Sequence, residues 1–144
     1  SRLAPEAKAA DVAIGIENVW NRFLLSPLET RRFLDEIGSD YVGMYLDVGN
    51  AVYIGYPEQW IEILGHRIKK LHMSDYRFDQ AGIGAFVDLF AGDVDFPAVA
   101  KAIAGIGYDD YITLEMLPNY KQFPEVSLYA DKFAMNKIIE MIHL

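Results

Sequence analysis

Val42-Gly43-Met44-Tyr45-Leu46, closing in Asp47-Val48-Gly49-Asn50, is a short apolar run with a carboxylate at its end. The same arrangement recurs outward from it in both directions. Upstream, Val12-Ala13-Ile14-Gly15-Ile16 ends in Glu17-Asn18. Downstream, Ile68-Lys69-Lys70-Leu71 ends in His72-Met73-Ser74-Asp75, and Tyr111-Ile112-Thr113-Leu114 ends in Glu115. Helical segments separate these runs, and such alternation favours parallel β/α units. The pattern predicts an α/β fold of four parallel β/α units.

The helices between the runs carry their own boundaries. Ser26-Pro27-Leu28-Glu29 combines an N-cap Ser, a Pro at the first helical position and a Glu three residues after the cap, with Gly38 as the stop. A second helix begins near Pro57, carries Trp60, Ile61, Ile63 and Leu64, and stops at Gly65. A third begins near Pro97 and runs through Val99 and Ile103 to Gly105. The last and longest runs from about Pro124 to the C-terminus, with Leu128, Phe133, Ile138, Ile139 and Ile142 as its expected apolar face. The longest irregular stretch, Arg77 to Asp95, reads either as a lid or binding loop or as an insertion packed by its own apolar residues.

Composition narrows the class. A chain of 144 residues with 52% hydrophobic content supports one domain with a sizeable core, here residues 1–144. Aromatic content of 13% argues against disorder, and the absence of Cys excludes a disulfide scaffold. Lys and Arg total 13 against 21 Asp and Glu, for a net charge of -8. Such a chain suits neither phosphate backbones nor anionic lipid, so no nucleic acid or membrane partner is expected. No apolar run approaches the roughly 20 residues of a membrane span, and the N-terminus lacks an apolar signal core. The expected location is the cytoplasm. Lys69-Lys70 reads as a solubilising pair, and His66 and His143 have no evident partner.

The strand ends carry the chemistry. Glu17, Asp47, His72 and Glu115 are all metal-capable and lie roughly one β/α unit apart. Parallel strands bring their C-terminal ends to one side of a sheet, the side that holds the active site in α/β barrels. Each residue alone has an ordinary reading as a helix cap, a solvated charge or a structural hydrogen-bonding group. Capping needs alone do not put four such residues on four strand ends. Glu115 also sits between Ile112-Thr113-Leu114 and Met116-Leu117, where an unpaired carboxylate is costly to bury and a cation would relieve that cost. Two Glu, one Asp and one His suit Mn²⁺ or Mg²⁺ better than a thiolate-favouring ion, with Co²⁺ or Zn²⁺ as alternatives. An ion so placed can polarise a carbonyl while a carboxylate beside it takes a proton from the adjacent carbon.

Ile16-Glu17-Asn18, Leu46-Asp47-Val48-Gly49-Asn50, Leu71-His72-Met73-Ser74-Asp75, Thr113-Leu114-Glu115 and Gly92-Asp93-Val94-Asp95-Phe96 together resemble motifs of the sugar phosphate isomerase/epimerase superfamily. This is the xylose-isomerase-like TIM barrel group, which includes ketose 3-epimerases and hydroxypyruvate isomerase. The resemblance covers nearly the whole chain but maps only to strands five to eight, the C-terminal half of a (β/α)8 barrel. It implies that Glu17, Asp47, His72 and Glu115 are the metal ligands, with Mn²⁺ the expected ion. It also implies that Glu17 and Glu115 form the acid/base pair that moves a proton next to a ketose carbonyl through a cis-enediolate. The implied substrate is a small sugar or sugar phosphate, turned over by epimerisation or by aldose-ketose isomerisation.

Asn50 stands where many epimerases carry a substrate-contacting His, and Arg77 lies near the position of a substrate-binding Arg. Arg77 reads equally as a solvated loop charge. Trp20 and Phe23 are candidates to line a sugar pocket, or else packing residues. Inosose dehydratase-like lyases share this scaffold and metal geometry and stay open as an alternative. Endonuclease-IV-like nucleases need a multi-zinc site rich in His, and this acidic chain has only three His. A third reading is a half-barrel that binds metal or self-associates without turnover. Four parallel strands leave two unpaired edges and an uncovered inner face. The expectation is therefore a homo-oligomer, or a barrel completed by an absent N-terminal half, and Ser1 in place of an initiator Met fits excision, truncation or tag removal.

Overall fold

The computed structural model describes residues 2–117 and 120–144. Along the chain run α1 (Ala4–Ala10), β1 (Ile14–Glu17), α2 (Pro27–Ile37), β2 (Val42–Asp47), α3 (Val48–Ile54), α4 (Pro57–Leu64) and β3 (Ile68–Met73). They are followed by β4 (Asp75–Tyr76), β5 (Phe86–Val87), α5 (Phe96–Gly105), β6 (Ile112–Leu114) and α6 (Glu125–Ile142). Strands β1, β2, β3 and β6 pair in that order, every pair parallel, as the four apolar runs predict. Strands β4 and β5 form a separate antiparallel pair inside the long loop.

Alternation along the strands sorts their side chains between two faces. Met44, Leu46, Leu71 and Met73 are buried in a core with Trp60, Ile61 and Leu64 of α4, Phe96, Val99 and Ile103 of α5, and Ile138 of α6. The opposite face, the inside of the curved sheet, carries polar and aromatic groups. There Tyr45 packs against the His72 ring at 4.1 Å, and its hydroxyl lies 3.3 Å from Thr113 Oγ1. Between β2 and β3 the register shifts by one residue: Met44 is opposite Ile68, but Tyr45 is opposite Lys70. Lys69 is thus an extra residue in β3, a bulge that keeps Ile68 on the helix face and His72 on the inner one. Lys70 pairs with Asp110 at 2.5 Å and lies over the Tyr111 ring, so the lysine pair does more than face solvent.

The helix boundaries follow their signals. Ser26 Oγ accepts from Glu29 N–H at 3.2 Å, the Glu29 carboxylate accepts from Leu25 N–H, and Gly38 ends α2 in the left-handed conformation. Two further helices are present: Ala-rich α1, and α3, which starts at the strand end itself with Asp47 as its N-cap. For α6 the expected face is corrected. Ser127, Asp131, Ala134, Met135 and Ile138 are buried, whereas Leu128, Phe133 and Ile139 are exposed. Ile138 and Ile142 of the expected face do meet the core, Ile138 beside Met135 and the smaller or polar Ser127, Asp131 and Ala134, while Leu128, Phe133 and Ile139 lie on a side left exposed by the described residues. Leu128 and Tyr129 form a groove of about 450 Å³ with Ile112 and Leu114 beside the free edge of β6.

The long loop is both packed and stapled. Asp75 is fully buried and accepts from Tyr76, Gly92 and Val94 N–H groups at 2.9, 2.8 and 3.2 Å. No helix among the described residues is long and apolar enough to cross a membrane.

Candidate metal centre

Glu17 ends β1, Asp47 ends β2, His72 lies near the end of β3, and Glu115 follows β6, its N–H donating to Met73 O at 2.9 Å. Their levels in the sheet are staggered. Glu17 is in register with Tyr45, two residues before Asp47; Asp47 is level with His72; His72 is level with Thr113, two residues before Glu115. Even steps keep all four on the inner face, and the climb is the stagger of a sheet tilted for barrel closure. One donor atom from each residue lies within 4.8 Å of the other three.

His72 Nδ1 is the hub, 3.0 Å from Glu17 Oε1 and 2.8 Å from Glu115 Oε2. A ring nitrogen carries at most one proton, so a proton there can serve only one carboxylate at a time. Asp47 is 1% exposed. Burial pushes its carboxyl up to about 7 and the Glu115 charge adds to this, against hydrogen bonds from Asn50 N–H and Ser74 O–H. Asp47 Oδ1 accepts from Asn50 N–H at 2.5 Å, capping α3. The helix-cap reading of Asp47 therefore holds together with its place in the cluster.

The donor set fits a divalent cation. Ligands around an ion with bonds near 2.1 Å sit about 3 Å from one another, the spacing of His72 Nδ1 from both glutamates. Three carboxylates converge with one imidazole, and the most buried of them is one whose charge burial disfavours. A bound cation removes that penalty.

A cavity of about 420 Å³ opens beside Asp47 and Glu115, walled by Trp20, Asn50, Phe86, Met116 and Leu117. Trp20 stacks on Phe86 with centroids 5.4 Å apart and meets the rings of Tyr53 and Tyr76. Trp20 and Asn50 thus lie at the cavity. Arg77 and Phe23 are not among its lining residues: the Arg77 guanidinium is held by Asp79, and Phe23 packs edge-on against Phe33. Sequence reasoning passed over three residues. Tyr45 supports the His72 ring, and Asn18 and Ser74 hydrogen-bond to Asp47. Asn18 directly follows Glu17 and Ser74 lies two residues after His72, a signal that was present in the quoted motifs.

Fold and site together define the four-unit half of an α/β barrel with a metal-type donor cluster at the strands' C-terminal ends. The family model described as xylose isomerase-like TIM barrel matches residues 1–135, and the chain belongs to that family. Among solved structures, an IolI protein with a binding zinc atom superposes with a TM-score of 0.83 at 19% identity, over 96% of this chain and 52% of that one. A xylose isomerase domain protein from Planctomyces limnophilus gives 0.79 at 18% identity, over 99% and 50%. A D-tagatose 3-epimerase-like protein gives 0.79 at 21%, over 99% and 52%. The chain spans about half the length of these structures. No curated protein matches it.

Proposed function

We propose that this chain is the metal-binding half of a sugar or sugar-phosphate isomerase/epimerase, completed by further β/α units or by a second copy. The carrying observation is the convergence of Glu17, Asp47, His72 and Glu115 on one face of four successive strands, beside a cavity of small-molecule size. The likeness to epimerase and IolI folds supports the reading.

A divalent cation held by the four donors, Mn²⁺ first and Mg²⁺, Co²⁺ or Zn²⁺ next, would supply Lewis-acid polarisation of a substrate carbonyl. Proton movement falls to the glutamates. Glu17 and Glu115 flank His72 from the two outer strands, so one removes the proton from the carbon next to the carbonyl. The cis-enediolate that results takes a proton back from the other glutamate, or from the same one at the neighbouring carbon. The first outcome inverts a centre and the second exchanges ketose for aldose. Trp20, with Met116 and Leu117 across the cavity, offers apolar walls for a sugar's C–H faces, and Asn50 offers a polar contact.

Mn²⁺ titration followed by thermal unfolding tests the centre. The parent midpoint is expected to rise with Mn²⁺ concentration, and Glu17→Gln and Glu115→Gln are expected to blunt the rise. In a completed barrel the same variants lose about 10²-fold or more in ketose epimerisation. A parent that gains nothing from Mn²⁺, with both variants behaving like it, sinks the proposal.

A further inference from the structure

Ser74 lies immediately after β3, buried, with its hydroxyl between two partners. Its Oγ accepts from Gly49 N–H at 3.0 Å and lies 3.0 and 2.9 Å from Asp47 Oδ1 and Oδ2. A hydroxyl has one proton, and with Gly49 N–H on a lone pair, the carboxylate is the acceptor within reach. Oδ1 also takes Asn50 N–H, so two protein donors occupy it. Among the described residues Oδ2 meets only the shared hydroxyl, which leaves lone-pair capacity for another partner. The contact is closely fitted from the opposite side: a Cβ at residue 49 would collide with Ser74 Oγ, so glycine is required there while the serine stays.

We propose that Ser74 is a positioning residue for the metal centre: it fixes the rotation of the Asp47 carboxylate so that one oxygen stays with the protein and the other faces Glu17, His72 and Glu115. The proposal rests on the metal-centre reading above. Hydrogen-bonding partners behind a ligand set its orientation, and their loss typically weakens metal binding 10–100-fold. The hydroxyl makes no hydrogen bond to Glu17, His72 or Glu115, so its hold on the donor cluster runs through Asp47.

The test is Mn²⁺ binding by the parent and Ser74→Ala chains, with free Mn²⁺ read from its aqueous EPR signal and the metal-free unfolding midpoint measured alongside. Ser74→Ala is expected to raise the Mn²⁺ Kd about 10–100-fold, beside the modest fall in metal-free midpoint that an unpaired Gly49 N–H brings. A merely structural residue would give the lower midpoint at unchanged Kd. That result, or a Ser74→Ala chain that does not fold, overturns the proposal. If the parent itself binds no Mn²⁺, the metal-centre reading fails and the positioning role fails with it.

Discussion

Asn18 replaces, with one side chain, the strand that β1 stops short of providing. Its Nδ2 donates to Asp47 O and its Oδ1 accepts from Asp47 N–H, both at 2.8 Å, in the pattern a further strand residue would supply. The β1–β2 pairing therefore continues one step past Glu17, locking that glutamate's strand to the backbone of Asp47. Asn18→Ala leaves two buried backbone groups unpaired, at a cost of about 1–3 kcal/mol each. Urea unfolding is expected to show a loss of about 2–6 kcal/mol for the two together; a loss below about 0.5 kcal/mol would mean that water replaces the amide. The four donors were legible in the sequence because each ends an apolar run. The roles of Asn18 and Ser74 were not, because each depends on a partner 29 or 27 residues away. Asp47 shows a further limit of such reading, since capping and clustering looked like alternatives and the structure has both.

At the scale of elements, strands and capped helices were readable and the orientation of α6 was not. Of the five residues expected to form its apolar face, Ile138 and Ile142 meet the core while Leu128, Phe133 and Ile139 are exposed, since which side is covered depends on what packs there. α3 escaped notice because its N-cap is the last residue of a strand, leaving no separate start signal. The inward face of α6 includes Asp131, whose Oδ1 accepts from Leu89 N–H at 2.8 Å while no donor among the described residues meets Oδ2. Burial pushes the Asp131 pKa up, and Asp88 and Asp75 add to this against the Leu89 hydrogen bond. A raised folded-state pKa makes the contribution to stability fullest below the ordinary carboxylate value. It is lost as pH rises through the folded value. Asp131→Asn keeps an acceptor for Leu89 and removes the charge. Its melting midpoint is expected to exceed the parent's near pH 7, with the gap closing towards about pH 4. A variant less stable than the parent at neutral pH, or one with a constant gap, contradicts this account of Asp131.

Over the whole molecule, the sheet has β1 and β6 as its two edge strands, neither paired further among the described residues. The groove between β6 and α6 adds exposed Leu128 and Tyr129 to one of those edges. Open strand edges beside apolar surface favour association. Sedimentation velocity across a dilution series is expected to show the isolated chain as a dimer or larger, with Leu128→Glu and Phe133→Glu shifting it towards monomer. A folded monomer at every concentration would count against this. Counting β/α units in the sequence was enough to recognise half a barrel; it could not supply the surface opposite, which lies beyond these strands. All four donors lie at or just past the strand ends of one sheet, so the proposed metal centre and any wall facing it are separable modules. On the proposed reading, a different wall set across from the sheet would change substrate choice without disturbing any of the four donors.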